Sequence, residues 1–579
     1  VVPDVSGVDK VFDYAVPDKF ASTLGVGDKV RIILNNRRVG GWVVGIERQG
    51  DDYTTEPVSR DARRTASFAL SAIQAVSGVG VAPELISLTE EVARRWGGSW
   101  RAVLVSASAP KVRLARGTAS RRSAMKMHAS ADEVETLPSG DVLVVSPPSA
   151  SVMSMVAQCA LAGPTLVVCP TIKMAIRGAA SLRRRGFTVA VYPDNWSEAF
   201  SGVDVVIGPR SAVWAPCPNL SSIVLVDEHD EAHWEERVPT WNSLDVARLR
   251  AGEVGARVVA TSTFGSLKSR GQFSHVVRVD GDGRWPRIDV VDLLDPEMTG
   301  GLRSNLLTRP LLAALEDASG DNSTTVLVLN AKGRARLLAC ASCATIQRCE
   351  HCGAVVSQND DQSLHCPRCE ALRAGLCQEC GRTSFRNVRL GSTNVREQLE
   401  ASAKGNVVDL AGHEPGRGDV VVDTEAALHR VEETSTVCFL DIDIELESGR
   451  LDATSTTLSM VSRAARLVGP KGRIVIQTRE PSHPILEALV SGSVDAALNA
   501  ELSMRRTLDL PPFSLVVEAT GAVEVLDQVQ LPLGCSSANI SRDRVMLRFT
   551  EVAVMRSVLD LIKATAGRGI RLAVEPYRQ

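Results

Sequence analysis

Residues 141–170 read DVLVVSPPSASVMSMVAQCALAGPTLVVCP. Val142-Leu143-Val144-Val145 and Thr165-Leu166-Val167-Val168 are continuous apolar runs, and the stretch between them has the length of a helix. A strand that is apolar on both faces is buried on both, so strand, helix, strand in this order predicts a parallel sheet covered by helices. The texture repeats at Val189-Ala190-Val191, Val203 to Ile207, Ile223 to Val226 and Val258-Val259-Ala260. It resumes at Thr325 to Leu329, Val420 to Asp423, Val437 to Asp441 and Gly472 to Ile476. The fold class is therefore multidomain α/β, and its ligand loops belong at the carboxyl ends of the strands.

Two of those loops carry chemistry. After Val145, a phosphate-binding loop needs a Gly-rich turn of amides and a Lys for the terminal phosphates. The chain has Ser146-Pro147-Pro148-Ser149-Ala150-Ser151, with neither Gly nor Lys, and its prolines lack the N–H that such a cradle uses. After Val226 comes Asp227-Glu228-His229-Asp230, the acidic end of an apolar strand, where a nucleoside triphosphatase would hold magnesium and position the attacking water. A carboxylate-rich helix start reads the same way. Arg463 and Arg466 are spaced to share a helix face, as arginine fingers or as an ordinary basic surface.

Between Cys340 and Cys380 eight of the 13 cysteines form four C-x-x-C pairs: Cys340/Cys343, Cys349/Cys352, Cys366/Cys369 and Cys377/Cys380. Two such pairs close one tetrahedral structural zinc site, so the spacing predicts two zincs with no ligand position open to substrate. A disulfide cluster would require an oxidising compartment. His351 and His365 lie beside ligands and exceed the count, as surface groups or as the imidazole of a mixed site with three thiolates. The other cysteines, Cys159, Cys169, Cys217, Cys438 and Cys535, sit among apolar or small residues, as reduced buried thiols do.

Around these centres, Asp4 to Val58 reads as short strands, with Val30 to Ile33 paired to Gly41 to Ile46 and Arg37 and Arg38 between them. A helix is expected near 83–96, and a strand or helix from Trp100 to Ala109. Lys111 to Lys126 carries six basic residues and no acidic one, a basic linker suited to tethering or to phosphate contact. The end of the chain reads strand, helix, strand over Val545 to Val574. Lys and Arg total 65 against 68 Asp and Glu, so a nucleic-acid partner must be met by a local patch. The chain shows no membrane-length apolar run and no leader pattern at Val1 to Lys10, and a cytoplasmic location is expected.

The order of these parts resembles the PriA family of bacterial replication-restart helicases. The resemblance rests on Phe12-Asp13-Tyr14 with Val16-Pro17, Gly208 to Pro216, Asp227 to Asp230, the eight cysteines, Ile474 to Thr478 with His483-Pro484, and Arg505-Arg506 before Pro511-Pro512-Phe513. It implies a β-rich N-terminal domain for the 3′ end of a nascent strand (1–110) and a linker (111–135). Two RecA-like helicase lobes follow (136–300; 301–337 with 383–480). A zinc-ribbon-type module is inserted in the second lobe (338–382), and a small α+β DNA-binding domain ends the chain (481–579). Phe12, Asp13 and Tyr14 match the family's 3′-end pocket, where a ring stacks a terminal base and a carboxylate accepts from the 3′-hydroxyl. Nested zinc pairing is implied, Cys340 and Cys343 with Cys377 and Cys380, and Cys349 and Cys352 with Cys366 and Cys369; spacing alone leaves sequential pairing open. Implied partners are forked and single-stranded DNA, single-stranded DNA-binding protein and helicase-loading factors, with a monomeric protein as the default.

The departures are in the motor. The nucleotide-binding lysine has no counterpart in 146–151, and Asp423-Thr424-Glu425 replaces a Gly-Thr-Gln motif. Ser462-Arg463-Ala464-Ala465-Arg466 replaces Gly-Arg-Ala-Gly-Arg, and Ser262-Thr263-Phe264-Gly265 replaces Ser-Ala-Thr-Pro. The linker stands where the family has a winged helix. The sequence therefore points to a restart scaffold that binds forks without ATP-driven unwinding, with Asp227, Glu228, Arg463 and Arg466 as vestiges and ATP and magnesium doubtful. The alternative is an active 3′ to 5′ helicase with an unusual nucleotide site. A nuclease built on Asp227 and Glu228 lacks a further carboxylate for a two-metal site.

Overall fold

The computed structural model describes residues 1–47, 70–109, 137–279, 285–300, 306–320, 323–329, 337–343, 345, 347–351, 356–366, 371–388, 399, 406–408, 416, 418–448, 450–521, 531–541, 543–566 and 569–576. The basic linker lies outside them. Contacts divide the chain into two compact units, residues 1–140, 153–226 and 232–259, and residues 141–152, 227–231 and 260–579. The loop at 146–151 and the acidic loop thus group with the second unit, although both fall within 136–300 in sequence.

The chain begins with an antiparallel sheet ordered Val2–Pro3, Arg37–Trp42, Asp28–Leu34, Ala75–Val79. Arg37 and Arg38 are not between strands but open the second one. Asn35 and Asn36 take φ of 48° and 61°, the left-handed pair of a two-residue hairpin turn, so the strand restarts immediately after them. Val30, Ile32, Val43 and Ile73 form its core. The segments 86–95 and 100–107 are both helices, the second capped by the Ser99 side chain accepting from Ala102 N.

The expected parallel strands are present. A seven-stranded sheet runs Val276–Arg278, Val142–Val145, Arg257–Ser262, Ser222–Leu225, Thr165–Val168, Val205–Gly208, Val189–Val191. Its central strands are buried along their whole length, as continuous apolar runs require. A six-stranded parallel sheet runs Arg287–Asp292, Arg473–Thr478, Thr436–Phe439, Thr325–Val328, Val420–Asp423, Val407–Val408. Arg287–Asp292, assigned by sequence to the first lobe, pairs here with Arg473–Thr478. Its alternating polar pattern suits an edge strand and gives no hint of which sheet it joins.

The cysteine-rich segment contributes two small sheets, Leu337–Cys340 with Phe385–Val388, and Ser357–Gln358, Leu364–His365, Leu372–Arg373. The last sheet is ordered Cys535–Ser541, Arg544–Phe549, Leu515–Thr520, Arg571–Val574, with the helix Val552–Ala566. It has two more strands than the sequence suggested.

Candidate functional site

Asp227 follows its buried strand at φ 52°, a left-handed conformation that a non-glycine residue holds only where its surroundings fix it. Its amide donates to Thr261 Oγ1 at 3.2 Å, and the Glu228 amide donates to Thr261 O at 2.9 Å. Four carboxylates and an imidazole then crowd one loop, and each has a partner within the second unit.

The Asp227 carboxylate pairs with Arg466. Arg466 also donates through Nη1 to Pro148 O at 2.7 Å, in the loop where phosphates would sit. Asp230 pairs with Arg463, which lies 3.9 Å from Glu231 as well. Both arginines project from the helix Ala453–Val468, three residues apart on one face. Glu228 is 1% exposed and accepts from Ser266 N at 2.8 Å, Ser266 Oγ at 2.7 Å and Ser269 Oγ at 2.9 Å. His229 Nδ1 lies 2.7 Å from Ser262 Oγ, with its ring against Phe264. Burial holds that imidazole below its usual pKa, against the pull of Asp227, Glu228 and Asp230. Thr263 Oγ1 donates to Ser462 Oγ at 2.6 Å, so the segments 262–265 and 462–466 bond directly to each other.

The loop at 146–151 offers little to a phosphate. Pro147 and Pro148 have no N–H, Ser146 N donates to Ser262 O at 3.0 Å, and Ala150 N donates to Pro147 O at 3.0 Å. With no lysine, two missing donors and two donors engaged internally, these residues do not fit a nucleotide's terminal phosphates. In the acidic loop, for its part, Asp227 and Asp230 are paired with the chain's own arginines and Glu228 with two serines.

The outer cysteine pairs converge. The Sγ atoms of Cys340, Cys343, Cys377 and Cys380 all lie within 4.8 Å of one another, with Cys340 to Cys380 and Cys343 to Cys377 both at 3.5 Å. A disulfide needs about 2.05 Å. A tetrahedral metal with bonds of about 2.3 Å spaces its sulfurs about 3.8 Å apart, so the cluster fits a zinc-type ion. Cys349 and Cys366 are buried in a small core with Leu338, Val356 and Leu364. Cys352 and Cys369 lie outside the described residues. His351 is exposed and His365 belongs to a strand; neither joins the described four-sulfur cluster.

In the N-terminal domain Phe12 is half-buried, its amide bonded to Val1 O at 2.9 Å, and Asp13 is exposed. Tyr14 packs on the sheet core and donates its hydroxyl to Ile33 O at 2.9 Å, which fixes its ring against the sheet. Arg505 and Arg506 serve local structure: Arg505 pairs with Glu501 at 2.6 Å, and Arg506 stacks over Phe513 at 4.7 Å.

Sequence reasoning missed Ser262, Ser266, Ser269 and His429, whose Nε2 lies 3.2 Å from Glu231 Oε1, as partners of the acidic loop. It also missed buried Arg479, which bridges Asp441 at 2.9 Å and Asp443 at 3.0 Å. The one local signal was Ser266 ahead of Ser269, a helix cap in which the Ser266 side chain accepts from Ser269 N.

Residues 1–108 match the family model of the PriA 3′ DNA-binding domain. The replication restart protein PriA of Haemophilus influenzae is 27% identical over 351 residues, covering 55% of this chain and 47% of that one. The probable replication restart protein PriA of Mycobacterium leprae is 29% identical over 374 residues, covering 60% and 57%. The chain spans about half the length of the curated relatives it matches. Among solved structures, S. cerevisiae Dbp5 bound to RNA and ADP BeF3 aligns with 74% of this chain and 98% of that chain at 10% identity, with a TM-score of 0.34. No helix among the described residues is long and apolar enough to cross a membrane.

A 3′ DNA-binding domain at the head of a parallel-sheet α/β chain defines a DNA-binding protein. Residues 1–108 belong to the PriA 3′ DNA-binding domain family, and 55–60% of the chain is similar to replication restart proteins PriA.

Proposed function

We propose that this chain is a replication-restart scaffold. It recognises stalled or abandoned forks, with Phe12, Asp13 and Tyr14 lining the pocket for a 3′ end. It promotes primosome assembly and reloading of the replicative helicase, and it does so without ATP-driven unwinding. Two metal ions of zinc type, held by the outer and inner cysteine sets, keep the cysteine-rich module folded for partner proteins.

The observation that carries this reading is the pairing of Arg466 with Asp227, beside a loop that has no lysine. Phosphoryl transfer depends on positioning and charge neutralisation, and magnesium needs carboxylates free to receive it. Here the carboxylates are satisfied from within, and Arg466 holds the phosphate loop by its Pro148 carbonyl. What would be a site for turnover acts as a fixed joint between the helix 453–468 and the two loops.

The test compares fork binding and ATP hydrolysis in one preparation, with anisotropy measured at two salt concentrations because phosphate contacts are salt-dependent. Fork binding with no DNA-stimulated hydrolysis is expected. Hydrolysis that rises with fork DNA and is lost in Asp227→Asn would replace this reading with that of an active helicase.

A further inference from the structure

In the first unit a cavity of about 460 Å³ opens beside the helix Ser243–Val254, lined by Glu84, Phe200, Cys217, Leu220, Arg250 and Val254, with Glu253 at its rim. Its volume is in the range of small-molecule sites. Arg250 is the feature that needs explaining. Its side chain is 3% exposed, yet it borders the cavity, and its Nη1 donates to Val213 O at 2.7 Å. Among the described residues no carboxylate comes within 4.0 Å of it as an ion-pair partner. Burial lowers its pKa, against the pull of the Glu84 and Glu253 carboxylates. A buried cation without a close anion is costly, and a guanidinium with donors left over is a fork for a carboxylate.

The surroundings narrow the class of ligand. Glu84 and Glu253 are exposed at the mouth and would repel a plain anion, whereas they favour a molecule that also carries a cation. Phe200, stacked on Trp196 at 4.9 Å, provides an apolar wall with Leu220 and Val254. Burial raises the Cys217 thiol to about 11, so it adds no charge at neutral pH. We propose that this cavity binds a small zwitterion, an α-amino acid with an apolar side chain, its carboxylate on Arg250, its ammonium toward Glu84 and Glu253, and its side chain against Phe200, Leu220 and Val254.

Saturation-transfer NMR on the full chain with L-phenylalanine tests this, alongside phenylalaninamide, which lacks the carboxylate, and N-acetylphenylalanine, which lacks the ammonium. Phenylalanine is expected to bind, and each analogue to bind about tenfold or more weakly, the loss of one charged contact. Arg250→Lys keeps the charge and loses the fork, and should bind about tenfold more weakly. Should that variant fail to fold, Glu253→Gln at the exposed rim remains. It should weaken phenylalanine severalfold and not weaken N-acetylphenylalanine, a plain anion that Glu253 repels. No transfer to phenylalanine, equal binding of all three probes, or indifference to Glu253→Gln would overturn the assignment.

Discussion

The guanidinium of Arg466 is shared between the carboxylate of Asp227 and the carbonyl of Pro148, at 2.7 Å from the latter. One side chain thereby closes the acidic loop and the would-be phosphate loop onto the helix 453–468. Asp227 is 4% exposed at its side chain, so little water reaches its carboxylate. Arg466→Ala should cost about 3 kcal/mol of stability, because it leaves a buried carboxylate unpaired. Adding Asp227→Ala should recover much of the loss. Urea unfolding of both single variants and the double variant measures this; simple additivity would mean that the pair does not act as a unit.

His429 supplies a pH dependence. Burial, then the positive charge of Arg463, holds its pKa down to about 4, so its 3.2 Å contact with Glu231 is a hydrogen bond from a neutral ring. The unfolded chain takes up this proton at an ordinary histidine pKa, about 6.5. Between those values the unfolded state binds more protons, so stability falls as pH drops from about 6.5 toward 4. This group's share is up to about 3 kcal/mol, at about 1.4 kcal/mol per unit. His429→Gln should flatten that limb of a stability-versus-pH curve. An unchanged slope would remove His429 as its source.

Cys340→Ser takes one sulfur from the described cluster and should release one metal equivalent, with local unfolding around Leu337–Cys340 and Phe385–Val388. Cys349→Ser should release a second, independent equivalent. Metal analysis by mass spectrometry reads both. Retention of the metal in Cys340→Ser would sink the ligand assignment.

Phe12→Ala should weaken binding to a fork with a 3′ end at the junction by about 1–3 kcal/mol, the value of one stacked base. A fork without that end should be affected much less. Anisotropy on the two substrates decides, and equal losses would remove the end-specific role of Phe12.

The legible part of this fold was the part written locally. Val142–Val145, Thr165–Val168 and Thr436–Phe439 announce themselves because each is apolar throughout, and the cysteine pairs because ligand spacing is a short-range property. Arg287–Asp292 and Cys535–Ser541 were missed or misassigned because polar, partly exposed strands lack that signature. The arginine clamp was invisible for a different reason. Asp227 and Arg466 are 239 positions apart, and nothing in either segment encodes the meeting. Sequence offered Arg463 and Arg466 as fingers or as surface charge; in the structure both are partners of the acidic loop.

DNA-stimulated ATP hydrolysis by the purified, metal-loaded chain, measured beside its fork affinity, tests the central claim most directly. The arginine-paired acidic loop predicts tight, salt-dependent fork binding with hydrolysis no higher than that of Asp227→Asn. Turnover that rises with fork DNA and collapses on neutralising Asp227 or Glu228 would contradict it, and would mean that the arginine clamp opens to admit a nucleotide.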